Sequence, residues 1–395
     1  MRKAQRVTAL LSAVVLLLLI GFTGGCRPAP PPAPEEVRIG IVGPTSGPVA
    51  YYGTLMRNGG LLAVEEINEA GGVNVGGKML KIKVFTEDDR SSPAESVAAV
   101  EKLITENKVH MIIGPFNSSC ALANIEVTER HKIVQLVPIA VADPITQGHP
   151  WVFRNCANQT MQTSRMAHWA VGNPAYKTFA LLLENTDYGR GGGEVFAKAA
   201  EQAGKEIVTT EYFDLGDVDF TTQLTKIKAK DPDAVFLVGL ITEGSKILTQ
   251  AKELGLDVQW FGLGGFASDK FLELAGDAAE GMIHVSYWEP NPEIPKSVEF
   301  GEKFPKAFGG MEAEMFSAAT YDAVYIAKEA FEKAGCASQE LKCQEALRKA
   351  MHAIDFMGVQ GRTYFDEEGQ GQLCFYIVKV KGGKRTIIDY VCPEG

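Results

Sequence analysis

Short apolar β-type runs alternate with helix-patterned segments from Val37 onward, and this alternation constrains the fold more than any other feature of the chain. It predicts parallel sheets covered by helices on both faces. Most runs are almost wholly apolar, whereas Leu80–Val84 alternates and is predicted to lie at a sheet edge. The predicted strands are Val37–Val42, Leu80–Phe85, His110–Ile113, Ile133–Val137, Phe179–Leu183, Ile207–Tyr212, Ala234–Val238, Val258–Phe261 and Met282–Tyr287. The predicted helices include Leu55–Ala70, Ser92–Asn107, Gly192–Ala203, Phe220–Lys230 and Glu243–Leu254.

So many strands are too many for one doubly wound domain of ordinary size, and the 395 residues suit two. A break is expected around Phe153–Asn158, after which the same alternation restarts at Phe179. After Met282 the pattern becomes helical, and the chain closes with a hairpin around Gly382-Gly383. We therefore predict an α/β protein with two doubly wound lobes.

The first residues have the layout of an export signal. Basic residues precede an apolar run, Ala9–Ile20, and Thr23-Gly24-Gly25 leads into Cys26. The run is too short to span a bilayer, which needs about 20 apolar residues. A proline-rich segment then reads as an extended tether over residues 26–36. Signal (residues 1–25), cysteine and tether resemble a bacterial lipoprotein leader with Cys26 lipidated, and plain secretion is the alternative.

Cysteine usage agrees with export. Of seven cysteines, all but Cys26 lie in the body of the chain, and an even number there favours disulfides. In a two-residue hairpin register Lys381 faces Lys384, so Cys374 lies opposite or diagonal to Cys392. Cys336 and Cys343 share one inter-helix loop, which leaves Cys120 with Cys156. The alternative is that some of these cysteines remain free buried thiols.

Three glycine patterns resemble nucleotide sites. Gly72–Lys78 follows a helix and enters a strand, the reverse of a phosphate-binding loop, so we interpret it as a turn. Gly262–Ala267 follows a strand and fits a relaxed dinucleotide fingerprint, but it lies late in the chain. Gly189–Gly193 opens a helix and either packs closely or holds an anion. An enzyme that uses a nucleotide at Gly262 is therefore a remote alternative.

Other chemistry has little support in the sequence. The six histidines are dispersed without metal-ligand spacing, and no nucleophile-elbow motif occurs. The net charge of −10 leaves no basic footprint for nucleic acid. We therefore expect no enzyme activity, no cofactor, no metal and no nucleic-acid partner.

The remaining candidates for a functional site are the loops at the carboxyl ends of the strands, because open α/β sheets bind ligands at that edge. Their ordered motifs resemble the periplasmic binding proteins of the branched-chain amino-acid type, which serve ABC transporters. The segments that carry this resemblance are Gly43–Gly53, Ala63–Asn68, Asp88-Asp89, Ile113-Gly114-Pro115 with Ser118-Ser119, Pro138-Ile139-Ala140, Phe153-Arg154, Asp187-Tyr188-Gly189 and Tyr321-Asp322-Ala323.

The resemblance implies two lobes joined by a three-crossover hinge that closes on a ligand, with lobe 1 formed by residues 37–155 plus 286–360 and lobe 2 by 156–285 plus 361–395. It also implies partners: a small-molecule ligand and ABC transporter permease subunits. By this resemblance the ligand-binding residues of the first lobe are Tyr52, Ser118, Ser119, Ile139, Ala140 and Val141. Those of the second lobe are Tyr188, Thr242, Glu243, Gly264, Gly265 and Phe266.

Two positions depart from relatives that hold an α-ammonium group. Val141 stands where those relatives carry a hydroxyl residue, and Gly264 or Gly265 stands where they carry an acidic group. These departures favour an apolar or aromatic carboxylate as competitor to an amino acid, although Glu243 or Asp187 can still neutralise an ammonium.

Together these features predict a monomeric, exported solute-binding component of an ABC importer, anchored by lipid in the periplasm or at the outer face of the cell membrane. It would capture a small carboxylate-bearing ligand, either an amino acid or an apolar or aromatic carboxylate. An extracellular sensing module that uses the same clamp is the alternative.

Overall fold

The computed structural model describes residues 35–393. The predicted signal over residues 1–25, the lipidation site Cys26 and most of the tether lie outside the described residues. Within residues 35–393, no helix has both the length and the apolar character needed to cross a membrane.

A six-stranded sheet forms the centre of the first lobe. Its strands are β1 (Glu36–Gly43), β2 (Val73–Val75), β3 (Lys78–Asp88), β4 (Met111–Ile113), β5 (Gln135–Val137) and β6 (Val152–Arg154). Their order is β2-β3-β1-β4-β5-β6, and every pair is parallel except β2 with β3. The helices between them are α1 (Ala50–Glu69), α2 (Pro93–Thr105) and α3 (Ser118–His131).

The predicted edge and the predicted turn meet in one hairpin. Residues 73–80 pair as the antiparallel β2–β3 hairpin, so Gly76 and Gly77 form a turn rather than a phosphate loop. Beyond Leu80, β3 pairs with β1 alone and is the edge of the sheet. Its alternating exposure follows from this position, because one face meets the helices and the other meets solvent.

The second lobe repeats the same alternation of strands and helices. Its strands begin with β7 (Thr178–Glu184), β8 (Glu206–Phe213), β9 (Ala234–Val238), β10 (Gln259–Gly262) and β11 (Ile283–Ser286). The helices are α4 (Gln159–Val171), α5 (Asp187–Gln202), α6 (Thr221–Lys230), α7 (Ile241–Glu253) and α8 (Asp269–Ala275). All five residues of β9 are fully buried, as expected of a central parallel strand.

The chain then returns to the first lobe and leaves it again. Helices α9 (Pro295–Ala307), α10 (Met315–Ala334) and α11 (Leu341–His352) precede a small antiparallel sheet, and α10 packs against α1. That sheet contains β12 (Asp355–Gly358), β13 (Gly361–Phe365) and β14 (Gly371–Gln372). Strands β15 (Phe375–Lys381) and β16 (Lys384–Val391) complete the second sheet, in the order β16-β15-β11-β10-β9-β7-β8.

The chain passes from the first main sheet to the second after β6, leaves the second for helices α9–α11 and the small sheet after β11, and returns to the second after β14. The predicted lobe boundaries, 37–155 plus 286–360 and 156–285 plus 361–395, stay a prediction. The small sheet lies across the proposed division at residue 360, since β12 pairs with β13.

The closing hairpin has the predicted register at its turn, where Lys381 pairs with Lys384. An irregularity between Ile377 and Val378 shifts the pairing by one residue, so that Phe375 pairs with Val391. This shift places Cys374 directly opposite Cys392, and the two form a disulfide. The Cys336–Cys343 disulfide is also present.

The predicted Cys120–Cys156 disulfide is wrong, because both cysteines are free and buried. Cys120 lies in the first turn of α3, beside Ser96 and Asp89, whereas the Cys156 thiol lies 3.9 Å from the carbonyl oxygen of Ala140. Burial raises the pKa of each thiol to about 12, which keeps both neutral and unreactive at physiological pH. The third disulfide is predicted by pairing the last two cysteines, and that inference fails because both are free buried thiols.

The two remaining glycine patterns serve packing. A Cβ at Gly189 would lie 1.9 Å from the backbone oxygen of Glu184, so this helix start needs glycine to approach the end of β7. After Gly262 the chain forms only a three-residue 3₁₀ turn, Gly264–Phe266, instead of the helix that a dinucleotide fingerprint requires.

Candidate functional site

A partly open cavity lies between the two lobes, at the carboxyl ends of strands from both sheets. Loops after β4 and β5 form its first-lobe wall, and loops after β7, β9, β10 and β11 form its second-lobe wall. The lining residues are Phe116, Asn117, Ser118, Ser119, Ile139, Ala140, Val141, Glu184, Thr186, Tyr188, Leu240, Gly264, Gly265, Tyr287, Met315 and Phe316.

The amino-terminal end of α3 supplies the polar part of the first-lobe wall. Ser118 and Ser119 are its first two residues, and the Asn117 side chain does not cap the helix. The first amide groups of a helix have no intrahelical acceptor, and the helix dipole favours negative charge there. Hydroxyls and free amides at this point can hold a carboxylate.

The adjoining segment, Ile139–Ala142, is held from behind by hydrogen bonds. Ser118 Oγ accepts hydrogen bonds from the amides of Val141 and Ala142, each at 3.3 Å. The buried Arg154 guanidinium donates to the carbonyl oxygen of Ala142 at 2.7 Å and to Oε1 of Gln370 at 2.6 Å. These bonds make this wall a rigid surface, with mostly apolar side chains facing the ligand space.

On the second-lobe wall, Tyr188 and Gly265 meet across two loops. The Tyr188 hydroxyl accepts a hydrogen bond from the Gly265 amide at 3.3 Å. A Cβ at Gly265 would clash with the backbone oxygen of Gly239, so the loop after β10 can approach the loop after β9 only with glycine here. The position thus lacks a side chain for packing reasons.

Glu184, the last residue of β7, is a charged residue of this wall that the sequence analysis does not identify. Its side chain is 2% exposed, and Oε1 accepts a hydrogen bond from Thr186 Oγ1 at 2.9 Å. Oε2 is buried without a hydrogen-bond partner among the described residues. Burial and, to a lesser extent, the nearby Glu243 carboxyl raise the pKa of Glu184 to about 7. An acidic residue that directly follows an apolar strand, at the ligand-binding edge, is the signal that could have revealed it.

Tyr52 joins the two lobes above the cavity. Its hydroxyl accepts a hydrogen bond from the Ile241 amide at 2.6 Å and donates one to the Gly265 carbonyl at 3.2 Å. Its ring packs between Phe116 and Phe316, with centroid distances of 4.7 and 4.8 Å. The hydroxyl therefore binds the backbone of the second lobe and holds the two lobes together.

A second contact between the lobes passes through Glu314, which precedes α10. Its Oε1 accepts hydrogen bonds from the Tyr51 hydroxyl at 2.7 Å and from Ser268 Oγ at 2.6 Å. Tyr51 belongs to α1 of the first lobe, and Ser268 precedes α8 of the second. Burial raises the pKa of Glu314 to about 7.

The structure brings most of the predicted site residues together. Those that line the cavity are Ser118, Ser119, Ile139, Ala140, Val141, Tyr188, Gly264 and Gly265. Tyr52 lies at the contact between the lobes, Thr242 is exposed, and Phe266 is buried against Phe271. Glu243 is buried outside the lining, and its Oε1 accepts a hydrogen bond from the Gly216 amide at 2.9 Å.

The lining residues that the sequence analysis misses are Phe116, Asn117, Glu184, Thr186, Leu240, Tyr287, Met315 and Phe316. Most of them lie one or two residues from a predicted position or strand end, whereas Met315 and Phe316 come from α10, far away in sequence. Across residues 35–393, the His, Cys, Asp and Glu side chains form no group of three or more that could hold a metal ion.

Fold and cavity together define a two-lobe protein of the class that closes around a small molecule. A sequence profile described as periplasmic binding protein matches residues 36–385, and the chain belongs to this family. The prediction of family and fold is thereby confirmed.

Similarity to known proteins extends over nearly the whole chain. Over 366 residues the sequence is 32% identical to the leucine-, isoleucine-, valine-, threonine-, and alanine-binding protein of Pseudomonas aeruginosa, covering 92% of this chain and 93% of that one. The structure resembles the branched-chain amino acid transporter substrate binding protein of Streptococcus pneumoniae in complex with isoleucine (29% identity, TM-score 0.82, 91% and 100% of the chains). It also resembles a solute binding protein of an ABC transporter from Rhodopseudomonas palustris in complex with 3,4-dihydroxybenzoic acid (25% identity, TM-score 0.81, 91% and 98%).

Proposed function

We propose that the protein is the extracytoplasmic solute-binding component of an ABC importer and that it captures a small carboxylate-bearing molecule between its lobes. The observation that carries this proposal is the pairing, in one cavity between the lobes, of the α3 amino terminus with the hydroxyls of Ser118 and Ser119. The relatives described above support it, since they bind amino acids or an aromatic acid in the same fold.

The rest of the ligand should be apolar. Much of the lining consists of large apolar side chains, among them Phe116, Ile139, Val141, Leu240, Met315 and Phe316. An apolar body buried against them gains roughly 25 cal/mol for each Å² removed from water. The serines would orient the carboxylate, and this surface would hold the side chain or ring.

In this proposal the protein acts by closing its two lobes around the ligand and performs no covalent chemistry. Contacts from the ligand to both walls favour the closed arrangement by differential affinity, and the Tyr52 and Glu314 contacts stabilise that arrangement. The closed protein would then deliver its ligand to the permease subunits. We also propose that it works as a monomer, exported and held by lipid at Cys26 in the periplasm or at the outer face of the cell membrane.

A thermal-shift screen across amino acids, aliphatic and aromatic carboxylates and amides tests the ligand class, because a ligand that binds the native state raises the melting temperature. Carboxylates should stabilise the protein, and the matching amides should not. Stabilisation by amides alone would contradict a carboxylate site.

Removal of the serine hydroxyls tests the proposed carboxylate contacts. Each charge-assisted hydrogen bond contributes about 1.5–3 kcal/mol, so Ser119→Ala should weaken binding at least about tenfold in calorimetry. Ser118→Ala should cost more, because its oxygen also holds the Val141 and Ala142 amides. Thr222→Ala, which removes an exposed hydroxyl on α6, is the matched control and should bind like the wild type. Unchanged affinity in both serine variants would remove these residues from the site.

A further inference from the structure

We infer that the Glu184 carboxylate pairs with the ammonium group of an amino-acid ligand and so decides between amino acids and their deaminated analogues. This inference rests on the proposed function, because it assumes that the cavity holds a carboxylate ligand at the α3 amino terminus.

The geometry places Glu184 opposite the proposed carboxylate site. Ser118 and Ser119 lie on the first-lobe wall, and Glu184 ends β7 on the second-lobe wall of the same cavity. A zwitterion between the walls can therefore direct its carboxylate to the serines and its ammonium to Glu184.

The side chain of Glu184 is incompletely satisfied without a ligand. Thr186 occupies Oε1, and Oε2 has no hydrogen-bond partner in the described part of the chain. The polar groups around it are the Thr186 hydroxyl, the Tyr188 phenol and the Glu243 carboxyl, so none of them supplies a positive charge. A buried polar atom without a partner is costly, and an ammonium is the donor that would satisfy it best.

Electrostatics then favours a cationic ligand group. Burial disfavours the ionised carboxyl and raises its pKa, whereas a cation within about 4–6 Å favours the ionised form. A deaminated analogue brings only its own carboxylate, which adds negative charge to a cavity whose wall already carries Glu184. Such a ligand either meets an unpaired anion or requires Glu184 to stay protonated.

The acidic partner has thus moved within the second lobe. The family resemblance implies an acidic group at Gly264 or Gly265 in proteins that hold an ammonium, whereas this chain has glycine at both, and a Cβ at Gly265 would lie 2.1 Å from the backbone oxygen of Gly239. Asp187 is exposed in the first turn of α5, and Glu243 lies outside the lining and binds Gly216. Glu184 is the carboxylate that the structure places on the cavity wall.

Matched neutralising variants test the assignment. Calorimetry would compare leucine with 4-methylpentanoate, and phenylalanine with 3-phenylpropanoate, on the wild type, Glu184→Gln and Glu243→Gln. We expect the amino acid of the better pair to bind the wild type at least about tenfold more tightly than its analogue, since an ionic hydrogen bond is lost. Glu184→Gln should abolish this preference, Glu243→Gln should retain it, and Glu184→Asp should restore part of it. Melting curves confirm that each variant is folded.

Proton release provides a readout that a purely structural role would not change. The pKa of Glu184 is raised to about 7, so an arriving ammonium should displace a fraction of a proton at neutral pH. Titrations in buffers of different ionisation enthalpy measure this release, which should disappear in Glu184→Gln and persist in Glu243→Gln.

The outcomes separate this inference from the proposed function. If carboxylates bind but the analogues bind as tightly as the amino acids, or if only Glu243→Gln removes the preference, the Glu184 inference is wrong and the carboxylate site stands. If neither amino acids nor carboxylates bind, the proposed function fails and the inference fails with it.

Discussion

Tyr52 should control how firmly the lobes close, and Tyr52→Phe isolates that contribution. The substitution removes one oxygen and keeps the ring between Phe116 and Phe316. In the closed arrangement the Ile241 amide then loses an acceptor at 2.6 Å, and the Gly265 carbonyl loses a donor at 3.2 Å. Both groups are buried when the lobes are closed, whereas water can satisfy them when the lobes separate.

The magnitude follows from this difference between the two arrangements. A buried polar group left without a partner costs about 1–3 kcal/mol, and the short bond to the Ile241 amide should dominate. The closed arrangement should therefore lose about 1–3 kcal/mol relative to the open one. Because the ligand must supply this free energy when it closes the lobes, its affinity should fall roughly 5- to 150-fold.

Calorimetry measures the affinity, and stopped-flow measurements should show faster ligand release, because the lost contacts hold the closed state. Tyr212→Phe is the matched control: that tyrosine is 42% exposed on β8, and its variant should bind like the wild type. A folded Tyr52→Phe protein with unchanged affinity and release rate would refute the argument that this hydroxyl joins the lobes.

Two further predictions concern pH and the membrane. Burial raises the pKa of Glu314 from its ordinary value of 4.5 to about 7, so its contribution to stability is complete below pH 4.5 and is lost as the pH rises through 7. Glu314→Gln keeps an acceptor oxygen for Tyr51 and Ser268 and should flatten that decline in melting curves taken from pH 4.5 to 8; an unchanged slope would contradict the assignment. Cys26→Ser should move the exported protein from the membrane fraction to the soluble fraction, because acyl chains are proposed to anchor it, and retention of the variant on membranes would exclude the lipid anchor.

Much of the fold is predictable because its signals are local. An apolar run such as Ala234–Val238 identifies a buried strand by its own residues, and the alternation of Leu80–Val84 identifies an edge. Helices α3 and α4 combine polar and apolar residues without a clear period, and our sequence analysis does not predict them. Short strands such as β6 are equally hard to recognise, since three residues carry little periodic information.

The candidate site is predictable only in part, because its walls come from segments that are distant in sequence. The rule that ligands bind at strand carboxyl ends leads to Ser118, Ile139 and Tyr188, which line the cavity in the structure. The same rule does not show whether an acidic side chain points into the cavity or into solvent. The sequence therefore does not tell which of Glu184 and Glu243 lines the cavity.

The sequence by itself determined the β-α order, the two-lobe organisation and the hairpin that joins Cys374 to Cys392, since each depends on neighbouring residues and regular backbone geometry. Only the tertiary structure decided that Cys120 and Cys156 stay free, that the Tyr52 hydroxyl reaches Ile241, and that Glu184 lies on the cavity wall. The physical reason is that the burial of these groups and the partners they find depend on how segments distant in sequence pack together, and no local sequence pattern contains that information.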